Sequence, residues 1–315
     1  MQIPKNATKS LQLFFLAILL TIWIAACQGR VDNSSLRNES SSNCRIIQHA
    51  MGETCVPLNP QRVIALRLVD NVIALGIKPV GATFVETGID SLLPQTTQIA
   101  NIGTRSQPDL ESILRLKPDL ILGLDWDAPA YKQLSQIAPT VLVASGDDLD
   151  WKRWFKIYAE ALGRTQEADK IMTTYTWRIA DLRKQLGNRL STTQVSVVSF
   201  WADAARIYLK QSFSGQIIND VGLARPTAQN QQKVNENLSL ELIPQMDGDV
   251  MFLMADRSAS KLAEFTNHPL WSQLKVVQQR RVYEVDGEAW VSQWTTVAAN
   301  RVFDDLYKYL IDEWK

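Results

Sequence analysis

The chain alternates two hydrophobic rhythms. Short aliphatic bursts, "RVIAL" (62–66), "DLILGL" (119–124) and "TVLVA" (140–144), are apolar at consecutive positions, which predicts strands buried on both faces. Between them, "DNVIALGI" (70–77) and "DLESILRL" (109–116) space their apolar residues three and four apart, which predicts short helices. A second set of bursts follows: "QVSVVSF" (194–200), "RIYLK" (206–210), "DVMFLM" (249–254) and "RVYEVD" (281–286). Alternation of this kind predicts α/β units around largely parallel sheets. Between the two sets, Trp151, Trp154, Phe155, Tyr158 and Leu162 recur at helical spacing, as do Ala168, Ile171, Met172, Tyr175, Ile179, Leu182 and Leu186. Gly163 divides this region, and Thr165 is the expected cap of the second helix. At about 22 residues that helix spans roughly 33 Å, enough to bridge two lobes.

One pattern occurs twice. "LESILRLKPDLIL" (110–122) and "LELIPQMDGDVMF" (240–252) both open with Leu-Glu, place an Asp eight residues after the Glu, and run into an aliphatic burst. Each predicts a helix leading into a strand, once per lobe. Glu111 and Glu241 then stand at equivalent exposed helix starts. An acid there is favoured by the helix dipole alone, but a pair, one at the tip of each lobe, also suits a two-fold partner with basic pockets. The expected organisation is a segment 1–26, a tether 27–43, an N-terminal lobe 44–148, a connecting helical region 149–187 and a C-terminal lobe 188–315. The fold class is α/β: two Rossmann-like lobes joined by one long backbone helix, with a ligand cleft between them.

The first segment changes the compartment. Lys5 and Lys9 precede a largely apolar stretch of fourteen residues, "LFFLAILLTIWIAA" (13–26), too short for a membrane span and suited to a signal-peptide core. It ends in "IAAC", which resembles a bacterial lipobox with Cys27 as the lipidated residue. The following stretch is rich in Ser and Asn and reads as a flexible tether. The protein is therefore expected to be exported, to the periplasm or the cell surface. Cys44 and Cys55, eleven apart, are the only other cysteines, and an oxidising compartment favours a disulfide between them.

Charge excludes some partners. Lys+Arg and Asp+Glu each number 33. Without the segment carrying Lys5 and Lys9 the chain is slightly acidic, and no basic stripe points to nucleic acid. The two histidines, His49 and His268, are too few for a protein-only metal site. No nucleophile–base motif appears, and Asp125 and Asp127 read as a solvated loop pair. In open α/β sheets ligands gather beyond the carboxyl ends of strands. Those positions hold Arg67, Phe84, Arg105, Trp126, Trp201, Arg257 and Trp290, a basic and aromatic set suited to a bulky anionic ligand. For Trp126, Trp201 and Trp290, packing and ligand contact are both open.

In order along the chain, "NPQRVIALRLVDNVIALGIKPVGAT", "IGTRSQPDLESILRLKPDLIL", "FSGQIINDVGL", "SLELIPQMDGDVMFL" and "HPLWSQLKVVQQRRVYEVD" resemble the solute-binding proteins of ABC importers for ferric siderophores and cobalamin. The resemblance runs from about residue 59 to residue 286. It implies a binding protein, not an enzyme, acting as a monomer with an ABC permease dimer and its ATPase. Glu111 and Glu241 fall on the glutamates that dock onto permease arginines. Arg105 falls where an arginine meets the iron-chelating groups, and Trp126 falls in a loop that contacts ligand. The "GETCVPLNP" opening is similar to the ferric-citrate branch. Iron is implied only as part of a ferric siderophore, with no resident cofactor. Cobalamin or haem as ligand, or an anchored enzyme or sensor on the same scaffold, remain the alternatives.

Overall fold

The consecutive aliphatic runs become the inner strands of two sheets. The computed structural model describes residues 44–85, 88–89, 91–93, 98–201, 204–255 and 260–313; Cys27, Arg257 and the Phe84 side chain lie outside the described residues. The described residues begin with a hairpin, β1 (Cys44–His49) and β2 (Gly52–Pro57). The N-lobe sheet contains β3 (Val63–Ala65), β4 (Gly81–Val85), β5 (Gly88–Ile89), β6 (Ala100–Thr104), β7 (Leu120–Leu124) and β8 (Thr140–Val143). It runs β4-β3-β7-β8, with β6 and the short β5 both on β4; every pairing is parallel except β4–β5. Its crossovers are helices α1 (Val69–Ala74), α2 (Leu110–Arg115) and α3 (Tyr131–Ile137).

Two helices follow, α4 (Trp151–Leu162) and α5 (Thr165–Leu186), divided at Gly163. Thr165 is the first residue of α5 and not its cap: Arg164 holds the cap position and makes no side-chain capping bond. The C-lobe contains β9 (Val195–Trp201), β10 (Ala204–Tyr208), α6 (Phe213–Val221), β11 (Asn235–Leu238), β12 (Val250–Ala255), α7 (Ser260–Thr266), α8 (Pro269–Gln273), α9 (Lys275–Gln278), β13 (Val282–Glu284) and α10 (Thr296–Tyr307). Its sheet order is β11-β10-β9-β12-β13. Position for position this repeats the N-lobe order β6-β4-β3-β7-β8, with one reversal. Only two residues separate β9 from β10, so that pair is an antiparallel hairpin, whereas α1 makes the β3–β4 connection a parallel crossover.

The repeated acids explain part of the internal repeat. The Asp119 carboxylate accepts the N–H groups of Gln61 (2.7 Å) and Arg62 (2.9 Å), at the entry to β3. The Asp249 carboxylate accepts Gln194 N–H at 2.8 Å, at the entry to β9. In each lobe the second acid of the motif thus pins the neighbouring central strand. The helices differ. Asp109 caps α2 through the N–H groups of Glu111 and Ser112, while residues 240–246 form a 3-10 helix that contains Pro244, which has no N–H to give.

The lobes share their core. Val63 and Leu122 from one sheet, Val197 and Phe252 from the other, and Trp154 and Tyr175 from the helices belong to one contiguous buried cluster. Polar links reinforce it. The Thr296 N–H donates to Asn71 Oδ1 at 3.1 Å, joining α10 to α1. Asp220 on α6 accepts both Lys152 Nζ of α4 and Tyr175 O–H of α5, each at 2.6 Å. Burial and the Asp220 charge push the Tyr175 phenol far above its ordinary pKa of 10.0, so it stays a donor.

The N-terminal hairpin covers the edge of β8. A disulfide joins Cys44 to Cys55. The Ala50 N–H donates to Leu142 O at 2.8 Å. His49 Nδ1 accepts the N–H groups of Met51 (3.3 Å) and Leu142 (3.4 Å), and Nε2 pairs with Thr54 Oγ1 at 2.8 Å. Such cover removes an exposed pairing edge. It also requires an unprotonated Nδ1, and burial pushes the His49 imidazole below its ordinary 6.5. The unfolded chain therefore takes the proton first. The stability His49 contributes is complete above pH 6.5 and is lost as pH falls from 6.5 through the lower folded value. Thermal unfolding at pH 7.5 and 5.5 should show a larger drop for the wild type than for His49→Gln; equal drops would exclude this role.

Candidate ligand site between the lobes

The strand order of the N-lobe sheet reverses at β3 and β7, and ligands in open α/β sheets gather beyond the carboxyl ends of the strands at such a point. Arg67 follows β3 and Trp126 follows β7. The Arg67 guanidinium lies 5.4 Å from the Trp126 ring, which is itself half exposed and sits edge-on to Trp154, with centroids 6.0 Å apart. Trp154 continues to Trp294 of the C-lobe at 5.4 Å, and its Nε1–H donates to Ser145 O at 3.3 Å. A row of three indoles thus runs from the exposed cleft into the shared core.

Arg105 reaches the same place from β6. Gly103 adopts φ +91° in the turn that carries it, and a Cβ there would lie 2.4 Å from Gln107 O, so only glycine fits. The turn is closed by Thr104 N–H to Gln107 O (3.1 Å) and Asp109 N–H to Ile102 O (2.7 Å). The Arg105 carbonyl accepts Arg67 Nη2–H at 2.8 Å.

Arg67, Leu68, Arg105, Leu124, Trp126 and Trp154 face Ser292, Gln293 and Trp294 across a cavity of about 30 Å3, close to the volume of one water molecule. The lobes meet at this floor. A larger depression of about 590 Å3, lined by Thr192, Gln194 and Lys275 among others, lies at the amino ends of the C-lobe strands and pairs no cation with an aromatic ring. Among the described residues no three His, Cys, Asp or Glu side chains come together as a metal site.

Other positions expected from the sequence are placed differently. Trp201, at the end of β9, is half exposed, and its ring stands against Gly287; it is not part of the cavity lining. Trp290 is fully buried. It stacks on Phe252 with centroids 4.4 Å apart and donates Nε1–H to Asp305 at 2.7 Å. That is a core position: the ring is spent on Phe252 and the indole N–H on Asp305, while Ser292–Trp294, a few residues on, reach the cavity instead. Sequence reading missed Ser292–Trp294, whose only signal was the second tryptophan of "WVSQW". It also missed Asp127, which is 6% exposed and ion-paired to Arg67 at 3.0 Å, not solvated in a loop.

Glu111 and Glu241 are both exposed. Glu111 pairs with Arg115 one turn on, at 3.0 Å. The Ser239 hydroxyl donates to Glu241 at 2.5 Å and holds that carboxyl below its ordinary range.

The periplasmic binding protein family model matches residues 69–289. The chain belongs to the periplasmic binding protein family. It is 33% identical over 323 residues to the "Probable siderophore-binding lipoprotein YfiY" of Bacillus subtilis (strain 168), across 96% of this chain and 98% of that one. The "Fe(3+)-citrate-binding protein YfmC" of the same organism is 29% identical over 291 residues, across 90% and 91% of the two chains. Among solved structures, Staphylococcus aureus SirA complexed with staphyloferrin B matches with a TM-score of 0.75 at 30% identity, covering 84% of this chain and 98% of that one. The family is one of extracytoplasmic binding proteins, not of enzymes, and in this periplasmic binding protein the interlobe floor is the candidate ligand site.

Proposed function

We propose that this periplasmic binding protein captures a ferric siderophore between its lobes and delivers it to the permease of an ABC importer. The observation that carries the reading is the wall formed by Arg67, Arg105 and Trp126 at the switch point of the N-lobe sheet. Guanidinium groups offer charge-assisted hydrogen bonds to the oxygens of an anionic chelate, and an exposed indole offers a flat apolar face. The named ligands of the relatives, iron citrate and siderophores, are of this chemistry. A ligand of that size needs about 300–1,000 Å3, far more than the roughly 30 Å3 between the walls here, so capture requires the lobes to part. Iron enters as part of the ligand. Glu111 and Glu241, one per lobe, dock onto the permease, and Cys27 carries the lipid that keeps the protein at the membrane.

The test is a tryptophan-fluorescence titration of the chain starting after Cys27. The panel pairs ferric and iron-free citrate, hydroxamate and catecholate chelators, with cobalamin and haemin as controls. Saturable quenching by one iron-loaded class and not by its iron-free form is the expected result. Flat curves from folded protein, or a response to haemin or cobalamin alone, would reject it.

A further inference from the structure

Asp127 stands behind the ligand wall, not in it. Its carboxylate accepts Arg67 Nε–H at 3.1 and 3.2 Å and Arg67 Nη2–H at 3.0 Å, and takes a third partner in Leu124 N–H at 3.1 Å. The Arg105 carbonyl holds Nη2 from the other side. One edge of the guanidinium fork is therefore fixed. Nη1 makes no hydrogen bond with a described residue, and the Arg67 side chain lines the cavity. Tyr158 O–H, kept protonated by burial and by the Asp127 charge, donates to the Arg67 carbonyl at 3.2 Å and fixes the backbone as well.

Room for the carboxylate is built into the strand. A Cβ on Gly123 would lie 2.6 Å from Asp127 Oδ2. The glycine in "DLILGLDWD" thus lets the acid fold back over the end of β7. A buried ion pair is weak support for stability, because desolvation offsets the attraction, yet this one borders the cavity lined by both lobes.

We propose that Asp127, seated by Gly123, is the positioning residue of the ligand site: it locks Arg67 so that Nη1 and the face beneath Trp126 are presented to an anionic ligand. The proposal rests on the reading of the cleft as a site for a ferric chelate, and it makes a prediction opposite in sign to simple electrostatics. Asp127→Asn makes the wall more positive, so charge alone predicts tighter binding of an anion. Loss of positioning predicts weaker binding, by about tenfold, the worth of one charge-assisted hydrogen bond. Gly123→Ala changes no charge but displaces the carboxylate, and should weaken binding in the same direction.

The experiment titrates wild type, Asp127→Asn and Gly123→Ala with ferric citrate, with thermal unfolding as a control for folding. A second readout needs no ligand: the near-ultraviolet circular dichroism that Trp126→Phe removes, measured in the wild-type and Asp127→Asn backgrounds. The expected result is a roughly tenfold loss of affinity in both variants and a changed Trp126 contribution in Asp127→Asn. Equal or tighter binding by Asp127→Asn would overturn the proposal. If ferric citrate binds none of the proteins, the ferric hydroxamate and catecholate chelators take its place; if none of these binds, that counts against the ligand reading, and the Trp126 signal alone decides the positioning role: an unchanged signal rejects it, a changed one supports it.

Discussion

Reversing both exposed glutamates, in Glu111→Lys/Glu241→Lys, is expected to abolish delivery of iron to the cell while leaving capture intact. Both side chains are solvent-exposed, and neither lines the interlobe cavity. Substitutions at such positions usually change stability by no more than about 0.5 kcal/mol, so the variant should fold and bind the chelate like the wild type. Under the proposed docking onto basic permease pockets, two lysines would replace attraction by repulsion, at a cost of several kcal/mol. Uptake of radiolabelled ferric chelate should fall on the order of 100-fold, and each single reversal should fall between. The Arg115 partner of Glu111 is an exposed one-turn pair worth only about 0.3–0.5 kcal/mol, too little to mask the effect. Normal uptake by the double variant would end the docking assignment, and a loss of chelate affinity would show that docking and capture are not separate surfaces.

Trp154→Ala should have the largest effect on the fold. The side chain is fully buried, bonded to Ser145 O, and packed between Trp126 of one lobe and Trp294 of the other. Truncating a buried tryptophan costs about 3–5 kcal/mol, a large share of the 5–15 kcal/mol typical of a native protein. For a unit of this size the melting temperature should fall on the order of 10 °C. Because Trp126 loses its support, ligand affinity should fall too. Trp154→Phe keeps a ring, loses the bond to Ser145, and should cost about 1–2 kcal/mol. An unchanged melting temperature in Trp154→Ala would show that the lobes do not depend on this contact.

Much of the architecture is legible in residue patterns because consecutive aliphatic residues have one good use, a strand buried on both faces. "DLILGL" and "DVMFLM" become β7 and β12 for that reason. β11, "NENL", is a polar strand at the sheet edge and carries no such signal. Pattern alone also fails where tertiary contact decides. Asp127 looks like any loop acid until Arg67, 60 residues away, folds against it. Trp290 and Trp126 read alike in sequence, yet one stacks in the core and the other stands half exposed. Both repeated glutamates lie in helical turns, but Pro244 turns the second into a tighter helix.

The indole row has an optical consequence. Consecutive rings at 6.0 and 5.4 Å are close enough to exchange excitation before they emit. Light absorbed deep in the shared core can therefore leave through Trp126, the half-exposed member at the cleft. An iron chelate seated there would drain the emission of the whole row, so the signal lost on binding should exceed the one-ring share that a count of tryptophans would assign to Trp126.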